Sequence, residues 1–483
     1  MNWKTYVMSI RNKKVYGKEK KETSTAKIAI WYVISNVFVT AVSFFSTPIF
    51  SRIMSKTEYG NYSNFLSWTG IIEIFATLNI AKAIARAKYE FDDEMDDYIT
   101  SILIFSNIVT VILYMIIEVN KNYFQTLFSM DIIFIRIMFV YLFFYTAFSY
   151  LQIKHRVYQK YKFFVAFSLG SSIIRTITAL ILVLKWEDRL FARVVGDIIP
   201  ITILNLGLWF MILGKGKKIR SKFVKFSLAI SVPLIPHTLA GNILTHADKI
   251  MITNICSSEE TALYSLAYSV SSAASMLWNA MNQAWSPWLF DNMAVNNKES
   301  IRKNSKVYLG VFAILIIGIL LLVPEVILIM GGEAYYETRF VMPPVILACV
   351  MQFVYGMYVN IEIFTKKTFQ ISVGTVLAGG VNILLNYLFI PRFGYMAAAY
   401  TTLAGYALLL IFHYLLVQKG KQYTDIYDTK FIVMMIVILL MIGMFTLVLY
   451  NYNSVRYILI LIYGVILLSG LVYFRKTIIS FLK

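Results

Sequence analysis

Long apolar runs of about 20 residues recur along the 483-residue chain, separated by short polar segments. A helix of that length crosses the hydrocarbon core of a bilayer, which is roughly 30 Å thick. Backbone N–H and C=O groups cannot stay unpaired in hydrocarbon, and the runs lack the two-residue alternation of barrel strands. Only 15% of the residues are charged, too few for a water-facing surface. The sequence therefore predicts an all-α integral membrane protein.

Apolar windows predict about fourteen transmembrane helices. They lie near residues 27–50, 61–82, 98–118, 131–153, 161–184, 190–213, 222–246, 260–288, 305–330, 338–365, 369–390, 395–417, 430–450 and 456–474. We number these spans 1 to 14 in chain order.

The distribution of Lys and Arg tests this count, because a missed span would exchange the two sides of every later loop. With the N-terminus in the cytoplasm, inner segments hold 33 of the 45 Lys and Arg residues, outer segments hold nine and spans hold three. Both termini are therefore predicted to be cytoplasmic. The charge of +19 forms no continuous stripe, so no nucleic-acid partner is predicted. The basic inner loops either attract anionic membrane lipids or only fix the orientation of the spans in the membrane.

A weak internal repeat divides the chain. Residues 58–63 (EYGNYS) open span 2 and residues 260–265 (ETALYS) open span 8, and three of the six positions agree. Parallel repeats of this kind build two-lobed transporters. The prediction is a basic cytoplasmic segment (1–26), an N-lobe of six spans (27–213), a cytoplasmic hinge (214–221), a C-lobe of six spans (222–418) and an accessory pair, spans 13 and 14 (419–483).

Three stretches of the chain carry a recognisable pattern: 48–62 (PIFSRIMSKTEYGNY), 248–252 (DKIMI) with 264–268 (YSLAY), and 382–399 (NILLNYLFIPRFGYMAAA). These segments resemble the polysaccharide flippases of the multidrug/oligosaccharidyl-lipid/polysaccharide exporter superfamily, in their Wzx-type, O-antigen-related branch. They fall in order within spans 1 to 12. Met396 and Ala397 depart from the family pattern, where a glycine is common.

The resemblance implies a fold and a function. The two lobes are expected to form a V around a central cavity that opens to each side in turn. The substrate is expected to be a polyprenyl-diphosphate-linked oligosaccharide, exported across the bacterial cytoplasmic membrane for surface polysaccharide synthesis and driven by an ion gradient. Polysaccharide polymerase and glycosyltransferases are the expected partners, and a functional monomer is the expected state.

Arg175 is the main candidate for substrate binding. Ionisable groups in the middle of a span are costly and mark functional sites. Arg175 shares a face of span 5 with Ser168, Ser171 and Ser172, and its planar guanidinium suits a diphosphate. The alternative is a structural arginine that pairs with Glu73 or caps carbonyl groups.

Two polar stripes at helical spacing are candidates for the cavity lining. Span 1 carries Asn36, Thr40, Ser43 and Thr47, and span 8 carries Ser269, Ser272, Asn279 and Gln283. Hydroxyl and amide groups exchange hydrogen bonds with water and with sugars. Close helix packing through small residues is the alternative for both stripes.

The remaining ionisable groups are candidates for ion coupling or gating. Glu73, His237 and Asp248 are candidates for coupling, although Glu73 could neutralise Arg175 and His237 could be a hydrogen-bonded core residue. Arg193 and Asp197 are four residues apart in span 6 and predict an ion pair. Glu362 predicts a pair with Lys366 at the cytoplasmic mouth. Arg52 and Lys249 complete the gate candidates.

No catalytic function is predicted. The sequence has no phosphate-binding loop, no dinucleotide fingerprint and no cluster of metal ligands, so the prediction is a transporter without cofactor, metal or catalytic residue. Two alternatives stay open. A multidrug or cation exporter of the same superfamily would need an acidic cavity, and a membrane glycan polymerase or ligase would need a large outer loop.

Overall fold

The computed structural model describes residues 25–160, 162–420 and 423–473, and every regular element within them is a helix. We number the α-helices α1 to α17 in chain order. They are α1 (Thr25–Ile53), α2 (Lys56–Thr77), α3 (Ile84–Glu90), α4 (Met95–Val119), α5 (Lys121–Phe128), α6 (Ile132–Val157), α7 (Lys162–Lys185), α8 (Arg189–Lys215), α9 (Ser221–Ser231), α10 (Ile235–Ile255), α11 (Ser258–Ala294), α12 (Lys298–Gly331), α13 (Met342–Phe364), α14 (Thr368–Phe393), α15 (Tyr395–Lys419), α16 (Thr429–Leu449) and α17 (Asn453–Tyr473). Short 3₁₀ turns at Ile80–Ala83, Asp92–Glu94, Val232–Leu234 and Glu333–Phe340 join some of them.

Helices occupy all fourteen predicted positions, which confirms the all-α fold. Eleven described helices are long and apolar enough to cross a membrane, and the bent pair of α2 with Ile80–Glu90 raises the number to twelve. The exact count of fourteen and the cytoplasmic side of the termini stay predictions. Following that prediction, we name the end of the bundle with the turn between α1 and α2 the outer end, and the opposite end the inner end. The basic segment 1–26 lies almost wholly outside the described residues.

Side-chain caps explain where several helices begin. The Ser55 hydroxyl accepts from the Glu58 N–H, and the Glu58 carboxylate accepts from the Ser55 N–H, so a capping box starts α2. Ser257 caps α11 by accepting from the Glu260 N–H. Asp428 caps α16 through the Phe431 N–H. A hydrogen bond from Lys306 and this backbone N–H lower the pKa of Asp428, which lies in a loop outside the spans.

The helices pack into two groups that share one long contact. In the first group, α8 packs on α6 and α7, and α2 packs on α4. In the second group, α13 packs on α15, and α10 packs on α14. Helix α2 joins the groups, because it also packs along α10 and α11. The predicted lobes and the hinge at 214–221 are compatible with this packing and stay predictions.

The two groups meet closely at the outer end. Ser258 donates to the Asn61 side-chain oxygen at 2.6 Å, and Thr57 donates to Glu259 at 3.3 Å. Arg52 on α1 donates to the Leu328 carbonyl oxygen on α12 at 2.9 Å. We call this contact layer the outer seam. The two copies of the sequence repeat begin here, and each copy supplies one side of the contact between α2 and α11.

Gly60 permits this approach of α2 to α11. A Cβ atom at position 60 would lie 1.7 Å from the Ser258 carbonyl oxygen. We expect Gly60→Ala to lower the free energy of unfolding by roughly 2 kcal/mol, because backbone atoms must move to relieve the overlap. Thermal unfolding in detergent measures this change. Gly170→Ala on α7 is the matched control: nothing lies within 4 Å of a Cβ atom there, so its stability should be equal or higher. Equal midpoints for the two variants would contradict the role of Gly60.

An ion pair made by a buried arginine holds the last two helices against the second group. Arg456 is 1% exposed, and its guanidinium donates to both carboxylate oxygens of Glu325 on α12. Tyr450 adds a hydrogen bond to the Leu320 carbonyl oxygen at 2.7 Å, and Tyr463 adds one to the Ile314 carbonyl oxygen at 2.6 Å. Polar contacts with α12 thus fix the position of α16 and α17, whose lipid-facing surfaces are otherwise apolar.

Candidate functional site

A polar cavity of about 330 Å³ lies between the two helix groups in the inner half of the bundle. Its walls come from α2, the 79–85 segment, α6 and α10. Asn79 donates to the Thr238 hydroxyl at 2.8 Å across the boundary between the groups. The lining residues that bear charge are Glu73, Lys82 and Arg156.

The two cations of the cavity are available to a ligand. Lys82 and Arg156 are exposed, and neither forms an ion pair with any residue that the structure describes. Lys82 follows the bend after α2, where Leu78 and Asn79 adopt left-handed backbone angles with φ of 48° and 55°. The helix axis turns by 58° there, which brings Lys82 to the cavity wall. In the sequence, Lys82 stands at the inner end of predicted span 2, and Arg156 belongs to a predicted basic inner loop.

Arg175 is held by Asp197 in the first group. Its Nε and Nη2 donate to the two carboxylate oxygens at 2.8 Å and 2.6 Å. The Asp197 side chain is 2% exposed, whereas the Arg175 side chain is 37% exposed. The predicted alternative of an Arg175–Glu73 pair is therefore wrong: Asp197 on the neighbouring α8 is the partner, and Glu73 faces the cavity.

The predicted pair of Arg193 with Asp197 is also wrong. The Arg193 guanidinium lies over the rings of Phe50 at 3.5 Å and Tyr62 at 4.6 Å. Its Nε and Nη1 are buried and have no hydrogen-bond partner among the described residues. Helical spacing allowed the pair, but Asp197 is turned towards α7, and aromatic faces of α1 and α2 receive Arg193 instead.

Tyrosines at equivalent positions of the sequence repeat bind buried aspartates. Tyr62 donates to Asp197 at 2.8 Å, and Tyr264 donates to Asp248 at 2.5 Å. Asp248 is 1% exposed. It also accepts from Asn386 on α14 at 2.6 Å and from Thr402 on α15 at 2.5 Å. The structure therefore places the coupling candidate Asp248 in a buried network of amide and hydroxyl groups, shared by four helices.

The serines of span 5 lie on α7 in the first group. Ser171 donates to the Ser168 carbonyl oxygen at 3.1 Å. Ser171 and Ser172 are 8% and 7% exposed, and Ser168 is half-buried. The part of the predicted hydrated stripe next to Arg175 is thus mostly enclosed between helices.

The other two stripes change from buried at the outer end to exposed further in. In span 1, Thr47 is buried, Thr40 is half-buried and Ser43 is exposed; the side chain of Asn36 lies outside the described residues. In span 8, Ser269 and Ser272 are half-buried, and each donates to a carbonyl oxygen of its own helix.

Asn279 and Gln283 continue the span 8 stripe towards the inner end, and both side chains are exposed. The polar faces of spans 1 and 8 are thus closed next to the outer seam and open below it.

The gate candidates lie in different places. Glu362 pairs with His413, with 2.8 Å between Oε1 and Nδ1, so the predicted Glu362–Lys366 pair is wrong. Lys366 is exposed in the turn after α13, where its φ of 60° directs the chain away from that helix. Lys249 lies over the Tyr268 ring at 4.8 Å. Arg52 belongs to the outer seam.

His237 does not show the hydrogen bonding that would make it an ordinary core histidine. It is half-buried, and its Nδ1 has no hydrogen-bond partner among the residues described in the structure.

Sequence reasoning missed Lys82, Glu325, His413 and Arg456. Glu325 and His413 fall inside predicted spans 9 and 12, so a full survey of ionisable residues in the apolar runs would have found both. Asn386 lies in a segment quoted for the family resemblance, but its spacing gives no indication that its amide reaches Asp248 on another helix.

Comparison with solved structures identifies the fold. The lipid II flippase MurJ, in an inward closed conformation, aligns with a TM-score of 0.70 at 14% identity, over 93% of this chain and 100% of MurJ. An inward-facing multidrug resistance MATE family transporter of the MOP superfamily aligns with a TM-score of 0.58 at 12% identity, over 80% and 94% of the two chains. A MOP superfamily transporter from Pyrococcus furiosus aligns with a TM-score of 0.54 at 13% identity, over 84% and 99%. The fold is therefore that of multi-pass membrane transporters and flippases of this superfamily.

The family follows from the sequence. The model of the polysaccharide biosynthesis protein family matches residues 25–293, more than half of the chain, and the chain belongs to that family. A search of curated proteins gives no significant match. The predicted relationship is thus confirmed at the level of this family, and the predicted fold is confirmed by its similarity to MurJ and to the MATE transporters.

Proposed function

We propose that this protein moves a polyprenyl-diphosphate-linked oligosaccharide from the cytoplasmic to the outer leaflet of the bacterial cytoplasmic membrane. Membership of the polysaccharide biosynthesis family and a MurJ-like fold support this class of substrate. The observation that carries the proposal is the polar cavity between the helix groups, whose wall holds two cations, Lys82 and Arg156, that form no ion pair with a described residue. Its volume of about 330 Å³ holds the diphosphate and the first sugar, while the prenyl chain stays in lipid.

Lys82 and Arg156 make the first contact with the diphosphate in this proposal. Phosphate oxygens accept charge-assisted hydrogen bonds from ammonium and guanidinium groups. Asp197 already occupies two of the three nitrogens of Arg175, so we assign Arg175 a later contact through Nη1, deeper in the first group. The exposed amide groups of Asn279 and Gln283 then bind sugar hydroxyl groups.

Opening of the outer seam completes the cycle in this proposal. The helix groups separate at the contact of α2 with α11, and the polar faces of spans 1 and 8 open towards the outside. The buried network around Asp248 is our candidate for coupling to a cation gradient, because it joins four helices through one carboxylate. Glu73 and His237 are secondary candidates, and anionic lipids near the basic loops assist substrate capture.

Neutralising the cavity cations tests the proposal. We expect Lys82→Gln combined with Arg156→Gln to slow flipping of a lipid-linked oligosaccharide by about tenfold or more, because two charge-assisted contacts are lost. Fluorescently labelled polyprenyl-diphosphate oligosaccharide in proteoliposomes provides the assay. Arg86→Gln is the matched control, since Arg86 is an exposed cation on α3 that does not line the cavity. Equal rates in the double variant and the control would reject this site.

A cation or multidrug exporter is the second candidate, because MATE transporters share the fold. Two unpaired cations against one carboxylate disfavour a cationic ligand in the cavity. Efflux of ethidium from proteoliposomes, without flipping of lipid-linked oligosaccharide, would select this alternative.

A further inference from the structure

A second polar site lies near the inner end of the second helix group. Glu362 on α13 and His413 on α15 are 1% and 0% exposed, and the carboxylate Oε1 lies 2.8 Å from Nδ1 of the ring. None of the residues that line the cavity between the groups belongs to α13 or α15. The pair is therefore separate from the proposed substrate site.

Apolar and aromatic groups surround the pair on most sides. The His413 ring stacks on Tyr355 with 5.7 Å between ring centres and meets the edge of Phe412. Gly374 on α14 faces Nε2, since a Cβ atom there would lie 3.2 Å from that nitrogen. Glu362 Oε2 and His413 Nε2 are buried without a hydrogen-bond partner among the described residues. Each of the two groups thus keeps one uncommitted polar atom in a dry environment.

A pocket of about 290 Å³ near the inner end reaches Glu362, and His413 is not among its lining residues. Glu362 is part of its lining, together with Thr365 and Lys367 from the turn after α13, and Gly420 and Tyr423 after α15. Lys367 is exposed and is the only cation among the described lining residues. The pocket therefore places open space beside Glu362 on the side predicted to be cytoplasmic, while the carboxylate itself is buried.

The other titratable groups nearby do not form an ion pair with Glu362 or His413 within the described part of the chain. They are Tyr355 on α13, Tyr406 on α15, Tyr423 and Tyr427 in the segment after α15, and Lys366 and Lys367 in the turn. Helix α14 contributes no titratable group near Gly374. Asp428 is bound to Lys306 and does not line the pocket.

We propose that Glu362 and His413 together bind one proton that enters through this pocket. With a neutral imidazole the site carries one negative charge, and addition of a proton to the free ring nitrogen makes a carboxylate–imidazolium pair of zero net charge. No bond between heavy atoms forms or breaks, and the proton comes from cytoplasmic water. A buried site of zero net charge avoids the desolvation cost of a lone carboxylate, so loading and unloading the proton changes the attraction between α13 and α15.

Helix α15 links the proton site to the network around Asp248. Thr402, eleven positions before His413 on the same helix, donates to Asp248, which places the two sites roughly 16 Å apart along the axis. A change in the packing of α15 against α13 therefore reaches the four-helix network. This step deepens the proposed function and rests on it, because it names the proton as a coupling ion.

Nitrogen NMR of His413 tests proton binding without any substrate. The full chain with His155, His237 and His246 replaced by Gln carries one labelled histidine in lipid. Between about pH 5.5 and 8.5 we expect the His413 ring to change from imidazolium to neutral imidazole. In Glu362→Gln the ring should stay neutral throughout, because no carboxylate balances its charge. A ring that stays neutral in the parent protein, or that changes identically in Glu362→Gln, would overturn the proposal.

Transport under an imposed pH difference tests coupling. We expect the flipping rate of the parent protein to respond to the pH difference by about tenfold, and Glu362→Gln and His413→Gln to lose that response. Lys366→Gln, an exposed neighbour, should keep it. A transport rate that depends on a sodium gradient alone, or that depends on pH equally in all variants, would overturn the assignment of Glu362 and His413 as the proton site. Absence of flipping in the parent protein would instead reject the proposed function. The NMR experiment would still test proton binding by Glu362 and His413, because it uses no substrate.

Discussion

A disulfide across the outer seam should stop transport almost completely. We expect Asn61→Cys with Ser258→Cys, in a chain carrying Cys256→Ser and Cys349→Ala, to form a disulfide on oxidation, because the two native side chains touch at 2.6 Å. The bond prevents α2 from leaving α11, so the outward-open state becomes inaccessible. The flipping rate should fall by about a hundredfold or more and return on reduction.

Each single cysteine variant, treated with the same oxidant, is the control and should keep its rate. Mass spectrometry of the cross-linked peptide measures how complete the bond is. Full transport with the seam completely cross-linked would show that the two helix groups do not part at this contact, and the proposed cycle would then need a different opening.

Replacing the buried acid Asp197 should lower the stability of the protein more than any other substitution proposed here. Asp197 is 2% exposed and accepts hydrogen bonds from Arg175 and Tyr62. We expect Asp197→Asn to lower the free energy of unfolding by about 3 kcal/mol or more, because it leaves a cation uncompensated inside the first group. Thermal unfolding and the yield of monodisperse protein in detergent measure this loss.

The double variant Arg175→Met with Asp197→Leu shows how much of the lost stability comes from the uncompensated charge and how much from the changed packing. It removes both charges together, and we expect most of the lost stability to return. Glu118→Gln is the surface control: its pair with Arg136 is 29% and 45% exposed, so the cost should stay under about 1 kcal/mol. Equal losses for Asp197→Asn and Glu118→Gln would contradict the role of Asp197 as a buried acid that Arg175 needs as its partner.

Local patterns in the sequence determined the fold class. Hydrophobic runs of bilayer length are a property of consecutive residues, and the helices follow them at all fourteen positions. The repeat at 58–63 and 260–265 predicted a division into two lobes, and the structure adds that the two copies begin α2 and α11, which contact each other at the outer seam. The family resemblance rested on short segments within the first twelve spans, and residues 25–293 now match the family model.

The tertiary structure alone decided which charges meet. Helical spacing placed Arg193 four residues from Asp197, and Glu362 four residues from Lys366, but it could not show that Arg175 and His413 approach from other helices. An unpaired charge in a membrane is costly, so each charged side chain needs a partner, which often lies on another helix. Which side chains meet depends on the rotation and the depth of each helix. These two quantities come from the packing of all helices together, and no run of consecutive residues encodes them.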